Sequence, residues 1–255
     1  DLNYISYAGI LGLTARKGQT PTIPGVQIAD IGGGALYAAI GILIALMGVK
    51  QNGVGQYVDT SMLDGAVSWL PVLANDYFVK GVSPKAAENI LNGQNACYEV
   101  YETADGRYIS IGAIEPHLWA NFCDAIGKEE FKLWQRDLTK QDEMYAYLRE
   151  LFKSKTQAEW IEKLTGVDCC WAPVKNLEEV FADPQVLARD MVYEMTDPAG
   201  CYGSVKMIGS AVKLSETPAR QELFPPRKGE HNAEYLKAVG YSDEQIAEFE
   251  KNGII

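Results

Sequence analysis

The sequence predicts an α/β fold in four stretches. An α/β segment occupies residues 1–75, a linker 76–95, a small α+β unit 96–185, and a linker with C-terminal helices 186–255. Three patterns carry this reading. A long apolar helical run follows Asp30-Ile31-Gly32-Gly33-Gly34 and gives way to a glycine turn, a short strand and a second helix, the order of an α/β layer. An Asp105-Gly106 pair separates two runs rich in Tyr, Val and Ile, which marks a β-hairpin. Thr156-Gln157-Ala158-Glu159 is a capping box opening an amphipathic helix.

The elements follow in order. Residues 1–26, with Pro21, Pro24 and several glycines, read as loop and short pieces. A helix is expected from Gly33 to Val49, then the polar turn Lys50–Gly55, then a strand over Gln56–Asp59. A second helix starts at Ser61, with Asp64 in its first turn, and continues through Trp69 and Leu73. Residues 80–95 carry little pattern. The hairpin strands are Cys97–Glu102 and Arg107–Gly112. Pro116 opens a helix to about Ile126, because proline suits a first helical position. Helices over 141–153 and 157–164 come next, the second stopped by Gly166. Residues 200–230 hold strand-like pieces broken by prolines, and two short helices, Ala233–Gly240 and Ser242–Asn252, close the chain.

Composition excludes some functions. The formal charge of −11 argues against nucleic acid, whose phosphates need clustered Lys and Arg. The five cysteines are odd in number and lack a C-x-x-C pair, and with only His117 and His231 there is no metal-ligand spacing. Reduced thiols in a cytoplasmic protein are expected, with the vicinal Cys169-Cys170 pair serving packing. Ile31–Val49 is uncharged and close to the ~20 residues that span a bilayer, but it is rich in Gly and Ala, so a buried core helix is expected and no membrane span. The chain begins with Asp1 rather than Met and is read as starting part-way through a longer protein.

Two carboxylates stand out. Asp30 precedes three glycines at a helix start, where unpaired N–H groups and the helix dipole favour an anion. Gly32, Gly33 and Gly34 carry no side chains and would let another molecule come close to the backbone. Asp30 can therefore either cap its helix or act on a ligand. Glu115 sits between a strand end and the helix that Pro116 opens, a catalytic position or a simple helix-start charge. Asp59 and Asp64 are better explained by capping, His117 by solvent exposure, and His231 by a loop interaction. Tyr98, Tyr101 and Tyr108 fit hairpin packing as well as an apolar site, and Gly53-Val54-Gly55-Gln56 lacks the Gly-Lys-Ser/Thr of a P-loop.

Several motifs together resemble the family III CoA-transferases and their relatives, the α-methylacyl-CoA racemases. They are Asp1-Leu2-Asn3-Tyr4, Ala29–Gly34, Gly53–Asp59, Tyr101–Tyr108, Gly112–Pro116, Ala172-Pro173-Val174, Ala182–Val186, Thr217-Pro218-Ala219 and Gly229-Glu230-His231. The resemblance implies part of a Rossmann-like large domain (residues 1–75, rejoined by 186–255) and a small α+β domain. It also implies an interlocked homodimer with the acyl-CoA site between domains of both chains.

The resemblance further implies that Asp30 is the transferase nucleophile, with Glu115 orienting groups or relaying protons and Gly32, Gly33 and Gly34 admitting the thioester. The substrates would be an acyl-CoA and a carboxylic acid, with no permanently bound cofactor and no metal. In the racemase branch the Asp is a proton donor or acceptor at the α-carbon, partnered by a His that precedes the Asp-Leu-Asn-Tyr pattern and is supported by the residue matching Glu115. Asn92-Gly93-Gln94-Asn95 carries one glycine where the transferases have a glycine-rich lid, which leans towards the racemase-like branch. The expected activity is CoA transfer between carboxylic acids; α-methylacyl-CoA racemisation and an inactive assembly partner are the alternatives.

Overall fold

A computed structural model describes residues 1–219 and 223–255, which divide into two compact units, Asp1–Val174 and Lys175–Ile255. The expected broken strands of the 200–230 tail partly fall on residues 220–222, outside the described residues.

The first unit begins with two short helices, α1 (Leu2–Tyr7) and α2 (Ile10–Leu13). The long apolar run starts earlier than expected. A π-turn covers Ile28–Ala35 and passes directly into α3 (Leu36–Asn52), which ends at Gly53 in the left-handed conformation. The expected strand over Gln56–Asp59 is absent: residues 54–60 have no regular structure. A strand needs a neighbour to pair its amides and carbonyls, and no strand precedes Tyr98 among the described residues. The second expected helix is split in two. Ser61 caps α4 (Met62–Val67), its hydroxyl accepting from the Asp64 amide at 3.0 Å, and α5 (Pro71–Lys80) restarts at Pro71. Proline cannot continue a hydrogen-bonded helix interior but fits a new first turn.

The expectation of a buried core helix is corrected by α3. None of its residues is buried, and Leu43, Ile44 and Met47 are 61–62% exposed. Its apolar residues run round all sides, so no single face marks where it packs. Among the described residues its principal neighbour is its own π-turn. By length and composition Ile28–Asn52 is long and apolar enough to cross a membrane.

The rest of the first unit follows the sequence closely. Strands β1 (Tyr98–Glu102) and β2 (Tyr108–Gly112) pair antiparallel, from Tyr98 opposite Gly112 to Glu102 opposite Tyr108. Gly106 supplies the left-handed residue of the connection at φ +72°. Helices α6 (Pro116–Ile126), α7 (Phe131–Trp134), α8 (Gln141–Lys153) and α9 (Gln157–Leu164) then cover the sheet, and β3 (Trp171–Pro173) adds antiparallel to β2. The Thr156–Glu159 capping box is reciprocal, and Gly166 follows the α9 cap at φ +84°.

One aromatic cluster fills this core. Tyr101 stacks on Phe152 at 4.7 Å, and Phe152 meets Trp160 at 4.7 Å and Phe122 at 6.2 Å. Its polar atoms are matched: Trp119 Nε1 donates to the Phe131 carbonyl at 2.7 Å, and Tyr101 Oη to the Ala96 carbonyl at 2.7 Å.

In the second unit, α10 (Leu177–Phe181) starts with a reciprocal Asn176–Glu179 box and α11 (Pro184–Ala188) with an Asp183 cap. A hairpin pairs β4 (Val192–Thr196) with β5 (Ser204–Ile208). In its loop the buried Asp197 carboxylate accepts the amides of Ala199, Cys201 and Tyr202 at 2.8–2.9 Å. Helices α12 (Asn232–Ala238) and α13 (Asp243–Lys251) close the chain within two residues of their expected spans.

Candidate functional site

Asp30 is the third residue of the π-turn. Its side chain is 45% exposed, and Oδ1 lies 3.1 Å from the main-chain nitrogen of Asp1. The capping work expected of an Asp here is done by another residue. Asp1 Oδ1 accepts the amides of Ala29 at 2.5 Å and Asp30 at 3.1 Å. Asp30 is thus freed from its own backbone and stays open to solvent. A π-turn widens the helix and leaves main-chain groups out of the regular ladder, a geometry often found at functional sites.

The glycine run explains how this turn is packed. A Cβ on Gly32 would overlap the Trp69 ring. A Cβ on Gly33 would lie 2.8 Å from the Met62 carbonyl oxygen and 2.9 Å from the Ala66 nitrogen, and one on Gly34 2.8 Å from Met62 Cγ. From the other side, a Cβ on Gly65 would run into the Gly33 carbonyl. The missing side chains let the π-turn and α4 touch backbone to backbone. Gly33 is buried by that contact, and Gly32 is buried against the Trp69 ring just beyond α4. Their lack of a Cβ is accounted for by α4 and Trp69, while Asp30 stays open to solvent.

Glu115 is the N-cap residue of α6, exposed, with extended backbone (φ −71°, ψ 135°) and no side-chain cap bond. The segment leading to it is held firmly. The Gly112 amide donates to the Cys170 carbonyl at 2.7 Å and the Ala113 amide to the Cys97 carbonyl at 2.9 Å. Gln135 Nε2 donates to the carbonyls of Ala113 and Ile114, both at 2.9 Å. No hydrogen bond or ion pair joins Glu115 to Asp30 among the described residues.

Of residues 92–95, Asn92 and Gly93 line one cavity and Gly93 and Gln94 a second. One, of about 470 Å³, is lined by Ala87, Asn92, Gly93, Tyr98, Ser110 and Cys170 among others. The second, of about 980 Å³, is lined by Arg16, Lys17, Gln94, Tyr145 and Arg149 among others. Neither includes Asp30 or Glu115. The Gly93 carbonyl accepts from Tyr145 Oη at 2.7 Å. Burial raises the Tyr145 phenol above its ordinary range, which keeps it a donor.

The remaining candidates are structural. His117 is exposed on α6, and His231 is the N-cap residue of α12, with no side-chain cap bond and Nδ1 3.3 Å from Glu234 Oε2. The Ser61 hydroxyl caps α4, and Asp64 supplies only the amide that bonds it. Among the described residues no group of three or more His, Cys, Asp or Glu is placed to hold a metal ion. All five cysteines are free. Cys97, Cys123 and Cys169 are buried, and Cys170 and Cys201 are exposed. Burial pushes the Cys123 thiol up to about 12 and Cys169 to about 11.

Sequence reasoning missed the buried amides Asn95, Gln135 and Gln141. Gln141 was in reach of it. It shares the apolar face of α8 with Met144, Tyr145, Leu148 and Phe152, and a polar side chain on a core stripe needs partners.

The family model described as CoA-transferase family III matches residues 1–232. An acyl-CoA transferase of Fusarium pseudograminearum is 33% identical over 97% of this chain and 55% of its own length. The α-methylacyl-CoA racemase of Mus musculus is 32% identical over 100% of this chain and 66% of its own. A crystal structure of a CaiB/BaiF family protein from Brucella suis superposes with a TM-score of 0.74 at 26% identity, covering 94% of this chain and 62% of that one. The chain therefore spans between about half and two thirds of the length of the relatives it matches.

Proposed function

The chain belongs to CoA-transferase family III, and on that premise we propose that it acts on acyl-CoA thioesters through Asp30, moving CoA between carboxylic acids. The exposed Asp30 carboxylate, relieved of capping by Asp1, is the observation that carries this reading. A carboxylate turned to solvent at a helix start is available to attack a carbonyl carbon.

The steps balance without an external reagent. An Asp30 oxygen attacks the thioester carbonyl and CoA thiolate leaves, giving an acyl–aspartyl anhydride. The thiolate attacks the aspartyl carbonyl and releases the donor carboxylate, giving an aspartyl-CoA thioester. The acceptor carboxylate repeats the two steps in reverse order, which returns Asp30 and a new acyl-CoA. Covalent catalysis divides one difficult exchange into easier ones. Glu115 orients the acceptor or relays protons. The glycine contact with α4 holds the turn rigid beneath Asp30. Two interlocked copies, CoA thioester as substrate rather than bound cofactor, no membrane span and a cytoplasmic enzyme belong to the same reading.

Mouse and human α-methylacyl-CoA racemases, each matched over 100% of this chain, favour a second reading. There Asp30 would exchange a proton at the α-carbon of a 2-methylacyl-CoA.

Trapping decides between them. The full chain is incubated with acyl-CoA, quenched with hydroxylamine and digested. A hydroxamate on the peptide carrying Asp30 supports transfer. Deuterium entering the α-carbon without CoA exchange, with the Asp30 peptide unchanged, overturns transfer in favour of racemisation.

A further inference from the structure

We infer that Gln135 is a positioning residue for Glu115, fixing where that carboxylate stands by gripping the two carbonyls before it. The inference rests on the role for Glu115 proposed above. Gln135 is 6% exposed, in the short stretch between α7 and α8. Its Nε2 uses both hydrogens on consecutive carbonyls, Ala113 and Ile114, each at 2.9 Å. Those residues join the end of β2 to the α6 cap, so the grip sets the path of the chain into Glu115. The Glu115 side chain makes no cap bond of its own. Its placement therefore depends on its backbone.

Gln135 is itself held in place. Its carbonyl accepts from Asn95 Nδ2 at 3.2 Å and Gln141 Nε2 at 3.4 Å. Gln141 also donates to the Asp137 carbonyl at 2.9 Å and accepts the Ala96 amide at 2.9 Å. Three buried amides thus connect the 92–95 segment, the α7–α8 turn and the strand end that carries Glu115. A side-chain amide in an otherwise apolar core is costly unless its bonds are made. Packing alone would be served by methionine, which matches glutamine in length but offers no donor.

The test compares Gln135→Met, Glu115→Gln and the double variant in the full chain. Each is assayed for CoA exchange and α-proton exchange, with melting temperature followed alongside. Gln135→Met is expected to lower kcat by roughly tenfold with KM for acyl-CoA held within about twofold, and to add nothing in the Glu115→Gln background. An equal loss in both backgrounds makes Gln135 a stability residue only and overturns the inference. A Glu115→Gln variant at the wild-type rate sinks the role of Glu115 itself, and a slow Glu115→Gln beside a normal Gln135→Met sinks only the positioning step. Amide hydrogen exchange supplies a readout without turnover. In Gln135→Met, and in Gln135→Glu should the first variant fold poorly, exchange at residues 113–119 is expected to rise while α8 stays protected. Unchanged protection there also overturns the inference.

Discussion

Asp1 and Asp30 are joined in both directions: the Asp1 carboxylate accepts the Ala29 and Asp30 amides, and the Asp1 main-chain nitrogen lies 3.1 Å from Asp30 Oδ1. The arrangement divides two jobs that one Asp could have done alone. Asp1 satisfies the first amides of the turn, and Asp30 keeps an oxygen for solvent. Either an amine or a peptide N–H at Asp1 can donate to Asp30.

That division gives opposite expectations for the two carboxylates. Asp30→Asn keeps the shape, and an exposed contact of this kind is worth only ~0–1 kcal/mol, so the melting temperature should barely move. Its CoA-exchange rate should fall by at least about a thousandfold, as for loss of a covalent nucleophile. Asp1→Ala should cost about 1 kcal/mol, as for a lost cap, and should reduce activity far less. Parallel melts and rate measurements check this; an active Asp30→Asn would end the nucleophile reading.

The contact between the π-turn and α4 predicts a glycine-by-glycine pattern. Gly33→Ala and Gly65→Ala must push backbone apart and should each destabilise by ~1–3 kcal/mol or more. Gly48 in α3 has nothing within 4 Å of its Cβ direction, so Gly48→Ala should stabilise by about 0.5–1 kcal/mol through helix propensity. Denaturant titration of the three variants separates packing from propensity. Equal effects at all three positions would mean that the close approach is not needed.

Local signals were legible in the sequence wherever a residue acts on its own neighbours. The Asp105-Gly106 turn, the Thr156 cap and the Pro116 helix start all appear at their expected places. Long-range dependence was not legible. The strand expected at Gln56–Asp59 has the right residues, but a strand exists only through its neighbour. The burial expected for α3 failed in a similar way: a helix apolar on all sides carries no stripe that says where, or whether, it packs. Asp30 stands out in the sequence because three glycines follow it at a helix start. Its partner Asp1 is distant in the chain, as Gln135 is from Glu115, and no spacing rule connects such pairs.

Thiol chemistry offers a prediction independent of activity. Cys170 and Cys201 are exposed, whereas burial lifts the thiols of Cys97, Cys123 and Cys169 above the ordinary range. The thiolate is the reactive form. At pH 8 an alkylating reagent should modify two cysteines quickly in the folded chain and the other three only after denaturation. Peptide mapping reads the sites directly. Rapid labelling of Cys123, pushed up to about 12, would show the aromatic core opening on the labelling timescale.

The hairpin turn predicts an acid-sensitive link. Asp105 accepts from the Thr103 hydroxyl at 2.5 Å and from the Gln157 amide at 3.2 Å, so it fastens the β1–β2 turn to the start of α9. The Thr103 bond is the chief cause of its lowered pKa, opposed by partial burial and reinforced by the amides of Gln157, Asp105 and Arg107. A carboxyl whose folded pKa lies below its unfolded value of about 3.9 stabilises the fold above that value. The contribution is lost as pH falls through the lower, folded pKa. Asp105→Asn should therefore be less stable than the parent at pH 7, and the gap should close towards pH 3 as the parent loses its advantage. Urea unfolding followed by the fluorescence of the buried Trp119 and Trp160 reports on this core at both pH values. A gap that stays constant with pH would assign the turn's stability to shape and not to charge.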